Sequence, residues 1–272
     1  MTINGRIDFM GLISVSMANP NGDPLNCNIP RTDCEGYGII SDVCIKRKLR
    51  DRLAESGEDI LIMPQKDPYD CLAQRIQELG ALDNSEFVDA AARRWYDVRA
   101  FGQVFCGTGK RGSRSVSVRG AVTIQRAVSV DPVEIVELPL TRCVNGAQVC
   151  GKSSDTMGSR AYVGYGLYLL KGSVCAAYAK RNGFSAEDTE KLLGILPRMF
   201  DNDASAARPE GSMVVERLYI WRHGSALGRY PAAKVFSTIR PRLREGCTSP
   251  RCFADYIIEE QHLDGLTPEI IC

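Results

Sequence analysis

Between residues 6 and 17 apolar side chains fall on every second position, at Ile7, Phe9, Ile13, Val15 and Met17. A period of two cannot be displayed by a helix, so the chain must begin with a strand whose apolar face needs a cover. The next stretch, 19–53, is of the opposite character. It opens with a turn-dense segment and holds three prolines and three glycines, with no periodicity up to residue 40. Ser41 then stands where a helix N-cap belongs, and Asp42 comes in the first turn, where the helix dipole favours a carboxylate. Ile45, Leu49 and Leu53 recur every four residues and predict the buried stripe of that helix. Lys46, Arg47, Lys48, Arg50 and Arg52 crowd into seven positions of it. A loop of backbone amides feeding a basic helix describes an anion site.

Composition limits which anion. The 272 residues carry a formal net charge of +1, so no global field draws a polyanion and any such affinity must be local. Local asymmetry exists. Beyond 46–52, the tract 110–119 holds Lys110, Arg111, Arg114 and Arg119 without an acid, and 240–244 holds three arginines. The eleven cysteines include no C-x-x-C pair and are accompanied by only two histidines, His223 and His262, which argues against a structural zinc site. They read as reduced thiols, and no metal or cofactor is expected. Residues 1–17 lack a basic region followed by an unbroken apolar run, and no apolar stretch is long enough to span a bilayer. The expectation is a cytoplasmic protein with no membrane partner.

Further along, 57–110 reads as an insertion with helices near 68–82 and 84–100, ending in the Gly/Arg-rich tract GTGKRGSR, expected as a mobile loop. Val116, Val118, Val122 and Ile124 alternate as a second strand, and a third runs through 128–140. Residues 141–161 are polar and glycine-punctuated, an excursion long enough to be a functional arm. Strand pattern resumes at 162–170, Ser185 with Asp188 caps a helix over 185–200, and 213–221 is a final strand. There is no internal repeat and no linker, so one domain with insertions is expected. Stripped of insertions, the order is strand, helix, strands, helix, strand, an α+β fold on the ferredoxin-like βαββαβ plan.

Five stretches carry a family resemblance: NPNGDP at 19–24, SDVCIKRKLR at 41–50, DVRAFGQVF at 97–105, TMGSRAYVGYGLY at 156–168 and MFDNDASAARPEG at 199–211. In this order they resemble the backbone-subunit family of type I CRISPR surveillance complexes (Cascade), most closely of the I-C kind. The resemblance implies a non-enzymatic, repeated subunit that polymerises along CRISPR RNA, beside other Cascade subunits, and presents the guide to target DNA. It implies a hand-like shape: an RRM-like palm, a helical finger insertion (57–110) and a β-hairpin thumb (141–161) that flips a base of the neighbouring subunit's RNA. The sequence lacks the aromatic K/R-G-F/Y-G/A-F-V-x-F/Y run with which RRMs stack bases, so recognition is expected at the sugar-phosphate backbone.

With the resemblance, Lys46 and Arg50 are the foremost RNA-binding candidates, followed by Arg31 and Ser41. Asn19 and Asn21, with Asp23, fit either turn chemistry or the RNA groove. Met157 is either a wedge under a flipped base or a residue packing its own hairpin. Gln103, Arg119 and Arg160 are weaker candidates; Arg47 points away from the apolar stripe, and 240–244 could face solvent or target DNA. The rival reading is an RNA-cleaving enzyme of the same hand-shaped superfamily, with Asp23 or Asp33 as catalytic acid or base, though neither histidine lies in a matched motif. A sequence-tolerant single-strand binder would instead need stacking aromatics along a groove.

Overall fold

The structure is a computed structural model and describes residues 1–64, 71–80, 82–106, 115–142 and 156–272. Strand β1 (Ile7–Ala18) buries Ile7, Phe9, Ile13 and Val15, as the alternation predicts. Met17 drops out of the pattern at 43% exposed, in a left-handed backbone with φ 48°. The turn-rich stretch forms β2 (Gly22–Asp23) and β3 (Ile29–Pro30), which pair with each other, and then β4 (Tyr37–Ile40). Helix α1 (Asp42–Glu55) comes next. Ser41 Oγ accepts the Cys44 N–H at 3.2 Å, and Ile45, Leu49 and Leu53 are all 0% exposed.

The insertion comprises α2 (Leu72–Gln77), α3 (Asn84–Arg94), α4 (Tyr96–Phe101), β5 (Gln103–Phe105) and β6 (Val116–Val118). It departs from the sequence reading in three ways. The helix expected over 84–100 breaks at Trp95, whose extended backbone (φ −103°, ψ 120°) ends α3 and starts α4. The strand expected over 116–124 is two strands: β6 pairs with β5, whereas β7 (Val122–Ile124) joins the main sheet. The insertion also continues past residue 110, because Val116 and Val118 complete a separate small core with Leu61, Phe87, Trp95, Val98 and Phe105. The tract GTGKRGSR at 107–114, with Lys110, Arg111 and Arg114, lies outside the described residues, as do 65–70 and 81.

The strand expected over 128–140 likewise divides into β8 (Ala127–Pro132) and β9 (Ile135–Arg142). Both pair with the long strand β10 (Thr156–Val174), at different points along it. Helix α5 (Ala176–Asn182), which the pattern did not announce, leads to α6 (Ala186–Ile195), whose capping box joins Ser185 and Asp188. Strand β11 (Met213–Arg222) is not the last element. After it come α7 (Ala232–Phe236), β12 (Ile239–Leu243), β13 (Tyr256–Glu260) and β14 (Glu269–Ile271).

The main sheet runs β14-β11-β1-β10-β8-β4, with every neighbouring pair antiparallel and β7 and β9 also on β10. Its two faces are covered differently. Odd positions of β1 face α1 and α6, in a core with Leu49, Leu53, Leu192 and Leu193. Met10 and Leu12, on the other face, are also 0% exposed, packed with Trp221, Val235, Phe236 and Tyr256. The alternation predicted one apolar face; β1 has two, because the segment after β11 folds back over the second. At the start of β1, Asp8 is fully buried and accepts from His223 Nε2 at 2.9 Å and Arg6 Nη2 at 2.9 Å. Among the described residues no helix is long and apolar enough to cross a membrane, and no group of three or more His, Cys, Asp or Glu is placed to hold a metal ion.

Candidate nucleic-acid interface

The loop after β1 is closed by its own polar groups. Asn19 is 4% exposed and donates its Nδ2 to the Asn28 carbonyl at 2.7 Å. Asn21 Oδ1 accepts the Ser41 N–H at 2.9 Å, and its carbonyl accepts the Arg31 N–H at 3.0 Å. Turn chemistry therefore occupies both asparagines, and through Asn21 it fixes the mouth of α1. Asn19 Oδ1 is buried with no partner. Arg31 sits 3.2 Å from Asp23 Oδ1, both side chains about a third exposed. Together Asp23, Arg31, Ser41, Asp42 and Arg126 line an open groove of about 390 Å³. Arg126 was not among the candidates read from sequence. It lies in the step between β7 and β8, exposed, with no acidic partner among the described residues.

The basic helix distributes its charges in a way that spacing could not show. Lys46 Nζ pairs with Asp42 at 2.9 Å on the solvent side, and Arg47 with Asp51 at 2.7 Å. Arg50 does not stand beside Lys46 as a free cation. Its side chain is 12% exposed, its Nε lies 2.8 Å from Asp97 Oδ2, and its guanidinium lies 5.3 Å from the Phe101 ring. Asp97 is 1% exposed and also accepts the Leu61 and Ile62 N–H groups at 2.8 and 3.1 Å. A phosphate could take Arg50 only by stranding a buried carboxylate, so Arg50 belongs to the joint between α1 and the insertion. Lys48, 8% exposed, is likewise held by Asp203.

Beyond Val163, where β1 ends at Ala18, β10 leaves the sheet and pairs with β9 alone. The register runs from Val163↔Ile135 to Thr156↔Arg142, so this hairpin starts earlier than the polar stretch 141–161 suggested. Residues 143–155 of that stretch lie outside the described residues. Met157, opposite Thr141, is 84% exposed, which leaves it unpacked by its own hairpin. Leu138 and Leu140 are exposed too. The segment 199–211 buttresses the hairpin's root: the Ala206 carbonyl accepts from Arg160 Nη1 at 3.4 Å and Tyr162 Oη at 3.2 Å, and the Ala207 carbonyl from the Asn19 N–H at 2.8 Å. Asp203 in the same segment holds Lys48 and, at 2.9 Å, Arg208. Four stretches thus meet around the end of β1: the loop and α1, which adjoin in sequence, and the distant hairpin root and 199–211.

Gln103 and Arg119 are elsewhere, at the neck of the insertion. Gln103 Nε2 donates to the Val104 carbonyl at 3.0 Å, and the Arg119 guanidinium stacks 4.2 Å from the Tyr178 ring centre. Neither lines the groove.

The fold has a counterpart among solved structures. One chain of a CRISPR RNA-guided surveillance complex superposes with a TM-score of 0.50 at 16% identity, over 89% of this chain and 78% of that one. Another, from a pre-nicking CRISPR RNA-guided surveillance complex, gives 0.49 at 15% identity over 79% and 78%. The model of the family "CRISPR-associated protein Cas7" matches residues 5–261, and the chain belongs to that family. A CRISPR-associated protein Cas7 of Haloferax volcanii is 27% identical over 98% of this chain and 75% of its own length.

Proposed function

We propose that this protein is the repeated backbone subunit of a CRISPR RNA-guided surveillance complex of type I-C, cytoplasmic, which polymerises along the guide RNA beside other subunits and presents the guide for pairing with target DNA. The observation that carries the reading is membership of the Cas7 family over residues 5–261. The geometry supports it. The strand order β11-β1-β10-β8, with α1 after β1 and α6 after β10, supports the reading of a ferredoxin-like, RRM-like palm, whose four strands lie in the order 4-1-3-2. The insertion after α1 serves as the finger and the β9–β10 hairpin as the thumb. Met157, Leu138 and Leu140 are exposed, with no cover among the described residues, as an arm that engages a neighbouring copy and its RNA requires.

On this reading Arg31, Ser41, Lys46 and Arg126 face the guide's phosphates, while Asn19, Asn21 and Arg50 shape the surface that carries them. The Met157 side chain serves as the wedge under a displaced base. No cofactor or metal takes part.

The nuclease alternative finds less support. Asp23 is engaged by Arg31 and by the Leu25 N–H at 3.2 Å, and Asp33 accepts the Glu35 and Tyr37 N–H groups at 3.0 and 2.9 Å, so both carboxylates act as turn formers. His223 is buried at the far end of β1, roughly 35 Å away at the usual strand rise. His223 therefore cannot serve as the acid–base partner of either aspartate.

The test is purification of the protein from cells holding its guide locus. A discrete small RNA in an extended oligomer is the expected result. A monomer free of RNA, or a protein that shortens labelled guide, would refute the proposal.

A further inference from the structure

The five matched stretches end at residue 211, and covering the second face of the sheet accounts for only the apolar side chains of the segment after β11. Its polar side forms something else. Between the β7–β8 step, β10 and the turn from α7 into β12 lies a groove of about 530 Å³. Its cations are Arg126, Lys171 and Arg240, and among the described residues no acidic side chain lines it. Among the described residues Lys171 and Arg126 have no acidic partner, and the Arg240 side chain donates from Nε to the Ser237 carbonyl at 3.0 Å while Glu259, its cross-strand neighbour, pairs with Arg242. That is unusual in this molecule, where cations at the joints of the fold, Arg50, Arg99 and Arg208 among them, are held by carboxylates. The loop groove is itself balanced, with Asp23 and Asp42 facing Arg31 and Arg126.

The placement of Arg126 links the two. Ile124 pairs with Gly172 and Val128 with Leu169, so the β7–β8 edge advances four residues while β10 advances three. The extra residue makes a bulge at 125–126, and bulges re-aim side chains at sheet edges. Arg126 consequently lines both grooves. The second groove has an apolar floor, including Val128 and Leu169, and its one aromatic, Phe236, is 7% exposed. It offers cations to phosphates and no open ring on which a base could stack.

We infer that the groove between β10 and the α7–β12 turn is a second phosphate-binding site, which holds the backbone of a nucleic-acid strand continuing from the loop groove past Arg126. The inference rests on the proposed function, in that it takes the strand at the loop groove to be the guide. It assigns the C-terminal segment to the nucleic-acid interface and predicts a longer footprint per subunit than the loop groove alone provides.

The experiment measures binding of a fluorescent oligouridylate to the full-length protein by anisotropy across a salt series, with a short and a long oligomer. Each lost contact on a single strand lowers the salt slope by about 0.7. For Lys171→Gln with Arg240→Gln the slope for the long oligomer should fall by about 1.4, which is roughly 25-fold in affinity at about 0.1 M salt. The short oligomer should be unaffected, and Lys171→Arg with Arg240→Lys should restore the slope, which separates charge from folding. An unchanged slope in the double glutamine variant, while Arg31→Gln with Lys46→Gln lowers it, overturns this inference and leaves the proposed function standing. Failure of the wild-type protein to bind either oligomer overturns both.

Discussion

Lys46 and Arg50 lie one helical turn apart on α1 and are not interchangeable cations. Lys46 is held by Asp42 in a solvent-side i,i+4 pair, an interaction worth about 0.3–0.5 kcal/mol. Arg50 meets a carboxylate that is 1% exposed. Removing one partner of a buried pair costs about 3–5 kcal/mol, because the other charge is stranded. Arg50→Ala should therefore lower the urea-unfolding free energy by about that much, whereas Lys46→Ala should leave it within about 0.5 kcal/mol and weaken RNA binding. Equal stability of the two variants in the same titration would show the Arg50–Asp97 pair to be unimportant. Buried ion pairs also tie three of the family motifs together. The basic run at 41–50 and DVRAF at 97–101 meet through Arg50 and Asp97, and the 199–211 motif meets the basic run through Lys48 and Asp203.

At the scale of elements, the insertion hangs on a neck of two glycines. Gly102 has φ +80°, and a side chain on Gly120 would come within 2.3 Å of the Phe101 carbonyl carbon. The two chain segments touch there, backbone to backbone. Gly120→Ala must push them apart, and overpacking of this kind costs about 1–3 kcal/mol. It should appear in hydrogen exchange as faster opening of β5, β6 and α3, with less change in β1. The insertion is also fastened to α6. Arg99 grips Asp188 with Nε at 3.0 Å and Nη2 at 2.7 Å, and the Ser185 N–H donates to Asp188 Oδ2 at 2.8 Å. Burial alone would raise the Asp188 carboxyl, but Arg99 and the Ser185 contacts outweigh it and hold it below its ordinary value. A depressed folded pKa means that the stabilisation is present above the unfolded value of about 3.9 and is lost as pH falls through the lower folded value. Stability of the wild type should decline in that acid window more steeply than that of Asp188→Asn, as read by thermal unfolding across pH.

For the whole molecule, the sheet is a two-sided partition. Helices α1 and α6 close one face, and the segment after β11 closes the other and leaves a cation-lined groove at its edge. From one end projects a hairpin whose Leu138, Leu140 and Met157 have no cover among the described residues. Replacing 143–155 with a short turn should yield a folded monomer, judged by an unchanged melting temperature, that no longer assembles into filaments on RNA. Filaments of normal length in electron micrographs would remove the hairpin from the assembly contact.

Much of this was legible in the sequence, where the governing physics is local. The alternation at Ile7–Val15 specified β1, Ser41 and the Ile45, Leu49, Leu53 stripe specified α1, and Ser185 with Asp188 specified the cap of α6. Caps and periodic burial involve neighbours a few residues apart, so the sequence states them directly. Tertiary structure decided what depends on partners far along the chain. It split 116–124 into two strands, because a glycine neck separates the insertion from the sheet, and it covered Met10 and Leu12 with a segment more than two hundred residues away. It turned Arg50 from a candidate ligand into one half of an ion pair and gave Lys48 a carboxylate partner too, because Asp97 and Asp203 reach them only through the fold. It also brought Arg126, one arginine in a plain step between strands, to the place where two grooves meet. Charge in a sequence gives the number of cations; only packing determines which of them already have a counterion.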